Sequence, residues 1–171
     1  MRRLFLLGVA LIVGLFALVG CSGKYNAVLY SHAEKWVSEE FLKENRVRAY
    51  YRNEDYVEGV SDWGDRTIYD ADAPGELIFI ITDKDEFEKI FVKHDSTVDF
   101  EKEIVILYIF PDVYPGRDYY LKKIDLNEQS LDIYFKLEKR NVKDATMPYQ
   151  RCFMVKLDKV EFKEVNFIEK R

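Results

Sequence analysis

Two thiols, two imidazoles and a short run of aspartates are the groups in this sequence whose chemistry could define a function. His32 and His94 stand far apart, with no Cys or carboxylate at ligand spacing, whereas a metal site needs three or four converging ligands. No metal is expected. Asp62, Asp65, Asp70 and Asp72 cluster in a Gly- and Pro-bearing segment. Their spacing matches neither a calcium loop nor a glycosidase carboxylate pair, so a solvated loop is expected. Cys152 lies in an alternating, strand-like run and reads as a small buried apolar residue, since a nucleophilic thiol needs a base beside it. No Gly-x-Ser-x-Gly elbow, phosphate-cradling Gly-rich loop or His-Glu-x-x-His helix occurs. No catalytic residue, cofactor or enzymatic activity is therefore expected.

Cys21 has a chemistry of its own. Arg2 and Arg3 precede an apolar run from Leu4 to Val19, and Leu18-Val19-Gly20-Cys21-Ser22-Gly23 follows. A basic start, an apolar middle and a small-residue exit make a secretory signal. The Leu-Val-Gly-Cys ending resembles a bacterial lipobox, which implies that Cys21 is lipidated and becomes the first residue of the mature protein. The apolar run, of about 16 residues, falls just under the ~17–25 needed to cross a bilayer. A plain secretory cut would leave the thiol unexplained. Each buried CH₂ contributes about 0.8 kcal/mol, so the two acyl chains of a diacylglyceryl group anchor stably where one does not. The expected organisation is a signal peptide at 1–20, a lipidated connector at 21–26 and a single domain at 27–171. The expected location is the outer side of a bacterial cell membrane, with any signal helix outside the fold.

The chain carries 26 Lys+Arg and 31 Asp+Glu. Loss of residues 1–20 removes two arginines and no acid, leaving 24 bases against 31 acids and a net charge of −7. That charge argues for solubility and against nucleic acid or an anionic membrane surface as the main partner. With Cys21 lipidated, Cys152 has no partner for an intrachain disulfide. Phe and Tyr number 12 each while Gly and Pro are sparse, which favours packed strands over disorder.

The pattern predicts an α+β fold, mostly antiparallel sheet in a sandwich-like or curved form, with one or two short helices. Ser31 to Asn45 reads as a helix with a Ser31/Glu34 capping box, a strand being the alternative. Val47–Tyr51 reads as a strand with a partner around Tyr56–Val60, and 66–69 as another short strand. Leu77–Ile81 is continuously apolar and reads as a buried strand. A helix follows over 83–93, with Phe87, Ile90 and Phe91 as its apolar stripe. Strands are expected over 104–110, 119–126 and 131–137, the last two joined by a hairpin turn at 127–130. Runs at 152–157 and 160–168 are expected to close the sheet.

Tyr108, Phe110, Tyr114, Tyr119 and Tyr120 flank or occupy a Pro/Gly-bearing turn centred on Arg117. Tyr and Arg are enriched at interface hot spots because they join apolar area to a polar handle. Tyr114, Arg117 and Tyr119 form the candidate binding set. Sheet packing accounts better for Tyr108, Phe110 and Tyr119, whereas the loop should expose Tyr114 and Arg117.

Residues 77–168 resemble the PrcB C-terminal domain family, named for a lipoprotein that accompanies and stabilises a surface protease complex. The likeness rests on the element order, on Val98-Asp99-Phe100-Glu101-Lys102-Glu103-Ile104-Val105 and on Ala145-Thr146-Met147-Pro148-Tyr149-Gln150. The family's Thr-Gly-Gly-Tyr turn is replaced here by Tyr114-Pro115-Gly116-Arg117-Asp118-Tyr119. The resemblance implies a noncatalytic protein-binding or accessory module and supplies no catalytic residues. The alternative reading is a small-ligand-binding lipoprotein with an aromatic-lined groove.

Overall fold

The computed structural model describes residues 25–94, 96–114, 116–139 and 145–170. Cys21 and the expected signal segment 1–20 lie outside them.

Two ten-residue strands form the centre. β5 (Glu103–Asp112) pairs antiparallel with β8 (Tyr149–Asp158) from Glu103↔Asp158 to Asp112↔Tyr149. Their near-continuous apolar sequence reflects burial on both faces. Val105, Leu107, Ile109, Cys152 and Met154 face a layer of helices, packed with Phe87, Ile90 and Phe91. Ile104, Ile106, Val155 and Leu157 face the opposite way, onto Ile124, Leu131 and Ile133 of a second sheet. Each fully buried side chain of this size contributes roughly 1.5–3 kcal/mol.

β4 (Leu77–Ile81) lies on the outer side of β5, β2 (Tyr50–Arg52) and β3 (Thr67–Tyr69) extend the sheet beyond β8, and β1 (Ala27–Tyr30) also pairs with β8. The second sheet runs β6 (Tyr119–Asn127), β7 (Ser130–Leu137), β9 (Glu164–Glu169). The protein is thus α+β and sheet-dominated, with two short helices, α1 (Glu39–Glu44) and α2 (Lys84–Ile90).

Several elements depart from expectation for identifiable reasons. The helix expected over 31–45 is broken into a 3₁₀ turn at Ala33–Lys35 and α1, because Val37 makes a β-bridge to Phe91 and the Ser38 N–H donates to the Ile90 carbonyl at 2.8 Å. Ser38, not Ser31, caps α1. The same bridge stops α2 at Ile90. β4 is an edge strand with Ile80 42% exposed, not a buried one. β2 takes β3 as its antiparallel partner instead of residues 56–60, where Gly59 turns the chain at a φ of 80°. β9 does not close the large sheet; it crosses to the small one and runs parallel to β7. The hairpin at 127–130 forms as expected, with Glu128 left-handed at a φ of 37°.

Asp83 caps α2, accepting from the Glu86 N–H at 2.9 Å. Asp83→Ala is expected to cost about 0.5–2 kcal/mol in urea denaturation, with Asp83→Ser retaining most of that stability. Equal losses in the two variants would show that the cap is not the reason for the aspartate.

Candidate functional site

β8 alternates Arg151, Phe153, Val155 and Leu157 toward the small sheet, so a guanidinium lies on an otherwise apolar face. The register places Phe110 opposite Arg151 and Asp112 opposite Tyr149, making Asp112 the diagonal neighbour of Arg151 on that face. Arg151 Nη1 and Asp112 Oδ2 are 2.8 Å apart, and each side chain is only 4% exposed. Removing two charges from water costs several kcal/mol per ion, so such a pair requires further hydrogen bonds. These are present. Asp112 Oδ1 accepts from the Tyr119 hydroxyl and the Tyr114 N–H, both at 3.0 Å. Arg151 donates to the carbonyls of Tyr114 (2.7 Å), Ser31 (3.3 Å) and Arg117, and to Ser31 Oγ (3.1 Å). Ser31 Oγ also accepts from the Tyr119 N–H at 2.8 Å. Burial, then the Asp112 carboxylate, hold the Tyr119 phenol well above its ordinary pKa.

This knot joins the end of β1, the β5–β6 loop and β8. His32 extends it: Nε2 lies 2.9 Å from Asp118 Oδ1 and Nδ1 lies 3.2 Å from Glu34 Oε1. Arg151 Nη2 is 3.3 Å from one ring nitrogen and 3.2 Å from the other, so it sits over the imidazole face. Ser31, His32 and Asp118 are neighbours, yet no hydrogen bond among the described residues joins His32 to Ser31 Oγ, whose lone pairs meet two donors. The arrangement clasps three chain segments; it does not activate a nucleophile.

Of the candidate binding residues, Tyr119 packs as a sheet aromatic, whereas Tyr114 and Arg117 are placed differently from expectation. Tyr119 is buried at 4% exposure and belongs to the aromatic core with Tyr108, Phe110, Phe135 and Phe153. Tyr114 and Arg117 are half-buried rather than exposed, because their carbonyls bind Arg151 and the loop folds down onto the sheet. The Arg117 guanidinium lies 4.9 Å over the Tyr114 ring. What faces solvent beside them is a groove of about 550 Å³ between β1 and β6, which are edge strands of their sheets. Val28 and Tyr120, 43% and 45% exposed, stand at this groove or its rim. The period-two alternation of Tyr119 and Tyr120 carries that signal: when one turns inward, the other turns out.

Cys152 is fully buried, and burial, then the nearby Glu34, push its thiol above the ordinary range. His94 packs edge-on against Phe87 at 4.6 Å. Asp70 Oδ1 accepts from the Ala73 N–H at 3.2 Å, closing a turn within the acidic loop. Among the described residues no group of three or more His, Cys, Asp or Glu side chains is placed to hold a metal ion, and no helix is long and apolar enough to cross a membrane. No family model, no curated protein and no solved structure matches this chain.

Proposed function

We propose that this chain is a bacterial cell-envelope lipoprotein, anchored through acyl chains on Cys21, whose domain binds another protein without catalysing a reaction. The observation that carries the proposal is the Leu18-Val19-Gly20-Cys21 ending of a complete signal pattern immediately ahead of β1. β1 leads from the anchor and runs antiparallel to β8, so Ala27 lies beside Leu157 at the anchored pole. β5 spans from that pole to the Asp112 end, about 30 Å at ~3.3 Å per residue. The clasped 112–119 loop then faces away from the bilayer, with the β1–β6 groove on the flank below it. A groove between two sheet edges suits an extended protein segment, because edge strands offer unpaired backbone groups. Tethering raises the effective concentration of a membrane neighbour, so modest affinity suffices. An accessory role is also what the resemblance of residues 77–168 to the PrcB C-terminal domain family would imply, although no family model matches the chain.

Cys21→Ala is expected to move the protein from the detergent to the aqueous phase of a Triton X-114 partition; its retention in detergent would refute the anchor. A photo-crosslinking residue at position 28 or 120 is expected to capture one shared neighbour in intact cells. At position 60, where Val60 is 83% exposed outside the groove, it should capture none. Equal capture at all three sites would remove the groove from the proposal.

A further inference from the structure

On the opposite face of the large sheet, α1, the segment after it and β2 enclose a cleft of about 250 Å³ whose floor includes Gln150 and Cys152. We infer that this cleft binds a small oxyanion group, a carboxylate or a phosphate, through Arg46 and Arg52.

Positive charge gathers at this cleft. In a chain of net charge −5, Lys43, Arg46 and Arg52 converge on one small opening, against Glu34 and Glu54. Glu34 is committed: Oε1 faces His32 and Oε2 accepts from the Cys152 N–H at 3.3 Å. Glu54 pairs with Lys43 at 2.7 Å on the open rim, both side chains more than half exposed. Among the described residues neither Arg46 nor Arg52 makes an ion pair. The Glu54 carboxylate is held below its ordinary range by the Lys43 hydrogen bond and charge, with a smaller contribution from Arg46, so the rim already accommodates one carboxylate.

Part of the Arg46 guanidinium is withdrawn from solvent. Its Nε is buried and, among the described residues, has no hydrogen-bond partner. Buried donors are rarely left so, and charged ones least of all. The guanidinium is positioned in advance, 4.5 Å over the Tyr51 ring. The surrounding wall is saturated. The Tyr51 hydroxyl lies 2.6 Å from both the Val47 carbonyl and Gln150 Oε1, and Gln150 Nε2 donates to the Leu42 carbonyl at 3.1 Å. Arg46 and Arg52 are thus the cations at this opening without an ion pair among the described residues, and guanidinium donors match the paired oxygens of carboxylate or phosphate. The cleft is smaller than the ~300–1,000 Å³ usual for ligand pockets, which suits a small anionic group rather than a large ligand.

Calorimetric titration of the detergent-solubilised full chain with inorganic phosphate and, separately, acetate, each at ionic strength held constant with sodium chloride, tests the inference. Saturable heat with at least one of the two anions is expected, and the tighter binder identifies the ligand class. Arg52→Gln, at an exposed position where folding is little affected, is expected to weaken that binding at least tenfold. Arg48→Gln, an exposed cation outside the cleft, should leave it unchanged. Absence of saturable heat with both anions, or equal weakening by Arg48→Gln, would overturn the assignment.

Discussion

Asp112→Ala is expected to destabilise the domain by about 3–5 kcal/mol, a large part of the ~5–15 kcal/mol that holds a typical domain folded. The substitution strands the Arg151 guanidinium at 4% exposure and also removes the acceptor used by the Tyr119 hydroxyl and the Tyr114 N–H. The magnitude comes from the orphaned charge, not from the missing attraction. The double variant Asp112→Leu/Arg151→Met is therefore expected to recover part of the loss, since replacing both partners removes the orphaned charge but leaves the Tyr119 hydroxyl and the loop carbonyls without their partners. Urea denaturation of the single and double variants measures this coupling. A loss below about 1 kcal/mol for Asp112→Ala would mean that water reaches Arg151 and that the knot is not buried in solution. The double variant should still lose order in the 112–119 loop, whose carbonyls at Tyr114 and Arg117 depend on Arg151.

Phe153→Ala has an expected cost of similar size, about 3–5 kcal/mol, by a different mechanism. Phe153 is fully buried, with its ring centroid 4.6 Å from Phe110, 4.8 Å from Tyr119, 5.3 Å from Phe135 and 6.0 Å from Tyr108. These rings come from both sheets, so truncation opens a cavity at the seam between them. Interiors relax only partly around such a void, and the four surrounding rings find no replacement for the dispersion attraction that the Phe153 ring supplied. Phe153→Leu is expected to cost less than half as much. Thermal unfolding of both variants checks the ordering, and equal losses would indicate that the seam depends on ring geometry rather than filled volume.

The central strands are legible in the sequence because burial leaves a chemical trace, the unbroken apolar run Ile104–Phe110 and the alternating, mostly apolar run Cys152–Leu157. The same trace misplaces β4: Leu77–Ile81 is just as apolar, but its position at an edge depends on which strands pair with β5 and not on its own composition. β1 leaves no such trace, being four residues long and lacking a periodic pattern. The parallel placement of β9 and the break at Val37 are set by partners distant in sequence, which local periodicity does not encode. The same holds at the candidate site. Pro and Gly around Tyr114 and Arg117 point to a surface loop. The two residues nevertheless fold inward, because Arg151, on an inward-facing register with Phe153 and Val155, takes hold of their carbonyls. A charged residue in phase with buried apolar neighbours is the signal that marks this site.

The topology also sets a timetable. β8 is the middle strand of the large sheet, and β9 seals the small one, with Phe167 stacked on Tyr108 at 4.0 Å. Until residues 149–169 are available, the large sheet lacks its central strand and the small sheet its third, although β4–β5 and β6–β7 can already pair. A chain emerging end-first from a narrow channel therefore cannot commit to its core part-way through. Its long-range pairings make folding late and slow compared with local helix formation. That order of events is compatible with the export proposed for this chain, in which it would cross a membrane as an extended polymer and collapse on the far side.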